Sequence, residues 1–172
     1  SSDMHANALH LLQYIHSEQH GGGFRPVAFE KKISFDSDLK PVTITLDGGE
    51  KVSIVGVCDR IDVMHENGKD YIRIVDYKTG TKKFSLEDVY NGLSSQLLLY
   101  MNSVTNSGEF IENPVPAAVM YQPSDAAFRF DDDSNLYTPV GMAVNSRTVS
   151  QGFDKDFSGE FGVIQGDEKI KN

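Results

Sequence analysis

The sequence predicts a mixed α/β domain: a mainly antiparallel sheet with helices against it. Three observations predict it. Apolar residues alternate with period two through much of residues 26–78, punctuated by the turn signals Asp47-Gly48-Gly49 and Asn67-Gly68. Residues 85–104 then carry a stripe at helical spacing. A short apolar run, 116–122, follows that helix, as a strand returning to the same sheet would. A chain of 172 residues can bury a real core, and the expectation is one domain over residues 1–172.

The elements follow in order. Residues 6–16 place Ala8, Leu9, Leu12 and Ile15 on one helical face, with Leu11 beside it, and Gly21-Gly22-Gly23 ends the helix. Of His5, His10, His16 and His20, only the last two have helical i, i+4 spacing, and the glycines follow at once, so they are expected as solvated helix positions. Residues 26–35 and 42–46 read as strands, 51–64 as one long strand and 71–78 as the next, together an antiparallel meander. Ser85 can cap the following helix, with Asp88 in a capping-box position. Its stripe is Leu86, Val89, Tyr90, Leu93, Leu97, Tyr100 and Val104. Residues 128–133, 137–144 and 161–165 are weaker strand candidates, and 166–172 reads as a ragged end.

Asn-Gly between two strands is the strongest short-range signal for a two-residue type I′ hairpin. Glu66 then faces Lys69, so partners sum to 135 and Asp59 faces Asp76. Directly opposed carboxylates repel each other. A fold tolerates them when a cation lies between them, or when one keeps a proton. By alternation Val55, Val57, Asp59, Ile61 and Val63 share one face, as do Ile72, Ile74, Asp76 and Lys78 on the partner strand. Both acids and the lysine thus interrupt apolar faces, where an unpaired charge is costly. A buried Asp–Lys pair that only holds the sheet together fits the same pattern. Asp62 falls on the other face with Arg60, where a solvated ion pair is expected.

Two carboxylates can hold Mg²⁺ or Mn²⁺ through oxygen, with water completing the shell. A lysine on the same face can orient an attacking water or stabilise developing negative charge. Together they make a sensible phosphodiesterase site. Gln96 and Tyr100 lie one turn apart and can act together, in packing or in function. The single cysteine, Cys58, excludes an internal disulfide, an all-cysteine zinc site and a complete iron–sulfur ligand set, and a reducing cytoplasm is expected. No apolar run approaches the roughly 20 residues that span a bilayer, so no membrane is expected. No P-loop is present, so a motor is excluded. The net charge of −9 argues against duplex binding, although Lys78, Lys82 and Lys83 cluster beside the acids.

Three ordered segments carry a resemblance: Val57-Cys58-Asp59-Arg60-Ile61-Asp62, Ile74-Val75-Asp76-Tyr77-Lys78-Thr79-Gly80 and Gln96-Leu97-Leu98-Leu99-Tyr100. They resemble the metal-binding and RecB-type motifs of the PD-(D/E)XK nuclease superfamily. The wording is closer still to the C-terminal nuclease domain of the AddB (RexB) family, the second subunit of bacterial helicase–nucleases that process double-strand breaks. Segments 24–30 and 83–92 are similar too, so the resemblance covers about residues 24–122. It implies a restriction-endonuclease-like core and metal-dependent DNA cleavage. Asp59 and Asp76 would bind metal, Lys78 would be the catalytic lysine, and Gln96 and Tyr100 would support the site and contact DNA. Glu30, an exposed strand residue on its own evidence, matches an acid that contacts metal through water in some relatives. The implied partners are DNA and an AddA (RexA)-type subunit.

The chain departs from that pattern twice. It has no Gly-x3-His motif upstream of the first strand, where relatives carry a further metal ligand, and it lacks the cysteines with which many AddB proteins hold an iron–sulfur cluster. Both suggest a segment of a larger protein. The alternatives are a catalytically incomplete DNA- or partner-docking module of the same fold, or another nuclease of the superfamily, such as a phage or CRISPR-associated one.

Overall fold

In this computed structural model, residues 2–79, 94–124, 137 and 139–156 are described. Their elements run α1 (Ser2–Gly21), β1 (Arg25–Ile33), β2 (Thr43–Thr45), β3 (Lys51–Ser53), β4 (Gly56–Glu66), β5 (Lys69–Lys78), α2 (Ser94–Asn106), β6 (Pro114–Pro123), β7 (Val140–Ala143) and α3 (Arg147–Phe153). Five strands form one mixed sheet in the order β1-β4-β5-β6-β7. Every neighbouring pair is antiparallel except β5 and β6, which run parallel. The expected strand at 116–122 does return to the sheet, and a parallel return needs a crossover of a dozen or more residues.

Two sequence expectations are corrected. Residues 51–64 do not form one strand: β3 ends at Ser53, and β4 begins at Gly56. The meander is also broken, because β2 and β3 pair only with each other and leave β1 to pair directly with β4. The first helix extends beyond the expected 6–16, and α3 was not expected at all. Ser146 caps α3, its hydroxyl accepting from the Val149 amide. The candidate strands at 128–133 and 161–165, the ragged end at 166–172, and the first part of the expected helix at 85–104 lie outside the described residues.

The hairpin forms as the turn signal predicts. Asn67 and Gly68 both have positive φ, 52° and 72°, as a type I′ turn requires, and Glu66 faces Lys69. The sheet is covered on both faces. On one side α2 packs Leu97, Tyr100, Met101 and Val104 against Ile61, Ile72, Ile74, Val119 and Tyr121. On the other, α3 sets Val149 and Phe153 against Phe24, Met64, Val75 and Met120. Burial of such side chains stabilises by about 1.5–3 kcal/mol each. Cys58 is buried on the α2 side, and burial, with the Asp59 charge adding to it, pushes its thiol up to about 12.

The α3 side also holds charge. Arg60 is 1% exposed and Asp62 0%, so their pair is buried and not solvated as the sequence suggested. Asp62 Oδ2 accepts from Arg60 Nη2 at 3.0 Å and from Arg73 Nε at 2.8 Å. Glu18, buried on α1, ion-pairs with Arg73 and lies 3.7 Å from Arg60. Two cations and two anions thus close a neutral cluster that ties α1 to the middle of the sheet. Burial lowers the Arg73 pKa and the two carboxylates raise it, with a net rise, so the guanidinium stays charged.

Candidate active site

The site lies where β4 and β5 approach their non-hairpin ends. Regular pairing runs from Glu66–Lys69 to Arg60–Val75, one step short of Asp59 and Asp76. At that step Asp59 Oδ2 accepts the Tyr77 amide at 2.8 Å, so a side chain replaces the next backbone bond. The alternation predicted for β4 slips here. Gly56 faces the Tyr100 hydroxyl of α2, and Cys58 and Ile61, three positions apart, both join the core on that side. Val55 and Val57 are correspondingly exposed instead of sharing a face with Ile61.

A second irregularity lies directly across. In the β1–β4 register Lys31 pairs with Cys58 and Phe29 with Arg60, which leaves Glu30 opposite Asp59. Glu30 has φ 47°, a left-handed conformation uncommon for glutamate. Its side chain is exposed. No sequence signal marks this kink.

Asp76 and Lys78 stand together. Lys78 Nζ lies 2.5 Å from Asp76 Oδ2 and 5.1 Å from the centre of the Tyr121 ring. Asp76 Oδ2 is buried and has no directed hydrogen bond, so the lysine is its ion-pair partner only. Burial pushes the Asp76 carboxyl above the usual range; Lys78 pulls it down, and the Asp59 charge pushes it up again. Asp59 and Asp76 therefore sense each other, as opposed carboxylates should. Tyr121 is Asp76's neighbour on β6, and burial together with the Asp76 charge raises its hydroxyl pKa. Sequence reasoning missed Tyr121, and its parallel register with Asp76 is the only signal that could have found it. Asp62 lies in the charge cluster away from this group.

Gln96 and Tyr100 interact as their spacing suggests, Gln96 Nε2 donating to the Tyr100 hydroxyl at 2.6 Å. Tyr100 is buried and Gln96 exposed. Among the described residues neither hydrogen-bonds to Asp59, Asp76 or Lys78. The pair instead abuts the start of β4, where a Cβ on Gly56 would lie 2.0 Å from the Tyr100 oxygen. Gly56→Ala should therefore displace Tyr100 and cost about 1–3 kcal/mol, as overpacking does. Urea unfolding checks this, and a loss below ~0.5 kcal/mol would show that Tyr100 moves aside freely.

His16 and His20 are exposed, with their Nε2 atoms 3.1 Å apart. Among the described residues no three His, Cys, Asp or Glu side chains group as metal ligands, so the structure brings Asp59 and Asp76 together but not Glu30 or a histidine with them. No helix among the described residues is long and apolar enough to cross a membrane.

A family model described as the PD-(D/E)XK nuclease superfamily matches residues 2–154. Curated relatives include the AddB subunit of the ATP-dependent helicase/deoxyribonuclease of Clostridium acetobutylicum, 42% identical over 106 residues, which is 60% of this chain and 9% of that protein. The protein of the same name from Clostridium novyi is 42% identical over 105 residues, again 60% and 9%. That from Acetivibrio thermocellus is 42% identical over 111 residues, 63% and 9%. The chain spans about a tenth of the length of these relatives.

Proposed function

The chain belongs to the PD-(D/E)XK nuclease superfamily, and from that premise we propose that it is the DNA-cleaving domain of an AddB-type helicase–nuclease acting in double-strand-break repair. Members of the superfamily generally use divalent metal ions. The observation that carries the reading is the grouping of Asp59, Asp76 and Lys78, with a buried Asp76 oxygen that lacks a directed hydrogen bond. A hard divalent cation fits that donor set: the available atoms are carboxylate oxygens, and Mg²⁺ is commonly held by one or two carboxylates with waters and substrate phosphates. Asp59 and Asp76 would hold it, Mg²⁺ or Mn²⁺. When bound, such an ion would lower the pKa of water and polarise a phosphoryl oxygen.

The chain's own residues do the rest. Asp59 is held against β5 by the Tyr77 amide. Lys78 can turn its ammonium from Asp76 to an attacking water or a phosphate oxygen, and its stem rests beside Tyr121. Gln96, Tyr100 and Glu30 would support the site or the approach of DNA. The partners would be DNA and an AddA-type subunit, in the cytoplasm. A second reading, a docking module that keeps the fold without catalysis, draws on the net charge of −9 and on the lack of a three-ligand group among the described residues.

Mg²⁺ or Mn²⁺ should raise the melting temperature of the wild-type chain, by relieving Asp59–Asp76 repulsion, and should leave Asp76→Asn unmoved. Selective binding to the folded state adds about 2.7 kcal/mol at a hundredfold excess over Kd. The pH dependence follows from the raised Asp76 pKa. A raised carboxyl stabilises the folded state below its unfolded pKa, and that contribution is lost as pH rises through the folded value. Without metal, wild type should therefore lose stability relative to Asp76→Asn as pH climbs above the normal carboxylate range, and metal should restore it. An equal metal response in both proteins would remove Asp76 from the ligand set.

A further inference from the structure

Tyr77 lies between Asp76 and Lys78 in sequence and is gripped from two sides. Its amide donates to Asp59 Oδ2 at 2.8 Å. Its hydroxyl accepts from Arg60 Nη1 at 2.8 Å, and the Arg60 guanidinium lies 5.7 Å from the ring centre. Arg60 is itself fixed by Asp62 and lies near Glu18 of α1, in the buried cluster on the α3 side of the sheet. So Asp59 and Arg60, adjacent on β4, hold the backbone and side chain of one β5 residue. This happens at the step where regular pairing between the two strands stops.

We propose that Arg60 and Tyr77 are positioning residues: they clamp β5 to β4 beyond the last backbone pair and so fix the spacing of Asp59 from Asp76 and Lys78. Without the clamp, the two acids sit on unpaired strand ends and repel each other apart. With it, a rigid element set by α1 carries the carboxylates, and groups of this kind behind metal ligands typically contribute about 10–100-fold to metal affinity or activity. This inference rests on the reading of Asp59 and Asp76 as a divalent-cation pair.

Tyr77→Phe tests it, because the ring and its packing remain and only the hydroxyl is lost. Two readouts apply to the chain. Hydrogen exchange of the amide at position 77, in metal-free protein, should quicken, because its Asp59 acceptor is no longer held. Mn²⁺ affinity by calorimetry should fall about tenfold. Val149→Ala is the control: it removes core packing on the same face and should lower the melting temperature without changing Mn²⁺ affinity. Unchanged affinity in Tyr77→Phe, unchanged exchange at position 77, or an equal affinity loss in Val149→Ala each overturns the clamp. Wild-type protein that binds no Mn²⁺ overturns the cation-pair reading on which the clamp rests, and is distinguishable from these results.

Discussion

Lys78→Ala should lower Mg²⁺-dependent DNA cleavage by roughly a hundred- to a thousandfold while the chain still folds and still responds to metal. Removing one preorganised electrostatic donor costs about that much. Lys78 is near the end of β5 and partly exposed, so its loss opens little cavity. It does remove the group that pulls the Asp76 carboxyl down, leaving burial and Asp59 to push it up. The metal response of the variant should consequently need a higher pH than that of wild type. Cleavage of linear duplex DNA, measured in the assembled helicase–nuclease, checks the rate, and the thermal shift checks the fold. Full cleavage by the variant would reduce Lys78 to a structural partner of Asp76. No cleavage by wild type or variant would favour the docking module.

Asp62→Ala should be the most damaging single change to stability, at about 3–5 kcal/mol, because it leaves a buried cation without its partner. Asp62 accepts from both Arg60 and Arg73, and Glu18 alone cannot balance two guanidinium groups. Arg73 adds ring contacts, its guanidinium 4.7 Å from the centre of Phe24 and 5.2 Å from that of Phe153, so its displacement would also loosen the α3 side of the core. Chemical denaturation gives the value. A loss below ~1 kcal/mol would mean that water enters and solvates the remaining charges.

Much of this was legible in the chain, and the failures have physical causes. The hairpin, its register and the separation of Asp59 from Asp62 followed from Asn67-Gly68 and period-two counting, because turn chemistry and pleat are local. The Gln96–Tyr100 bond followed from one helical turn. The burial of Arg60 and Asp62 did not, since their cover comes from Glu18, far upstream on α1, and an Arg-x-Asp strand looks the same wet or dry. The kink pairing Glu30 with Asp59 was hidden because neither residue is glycine. The division of the expected strand at 51–64 was hidden because Val52, Ile54 and Val55 continue the apolar pattern across the break. The seven-residue α3 is too short for periodicity, and only its Ser146 cap hinted at it.

Cys58 gives the domain a built-in clock. The chain has one thiol, one residue before Asp59, and it is buried with its ionisation suppressed. A thiol must become a thiolate to be alkylated or oxidised, so reagents can reach it only during the moments when β4 leaves the sheet. The rate at which Cys58 is labelled in native buffer therefore counts the openings of the strand that carries Asp59. Between those openings the protein is chemically silent towards peroxide and disulfide exchange.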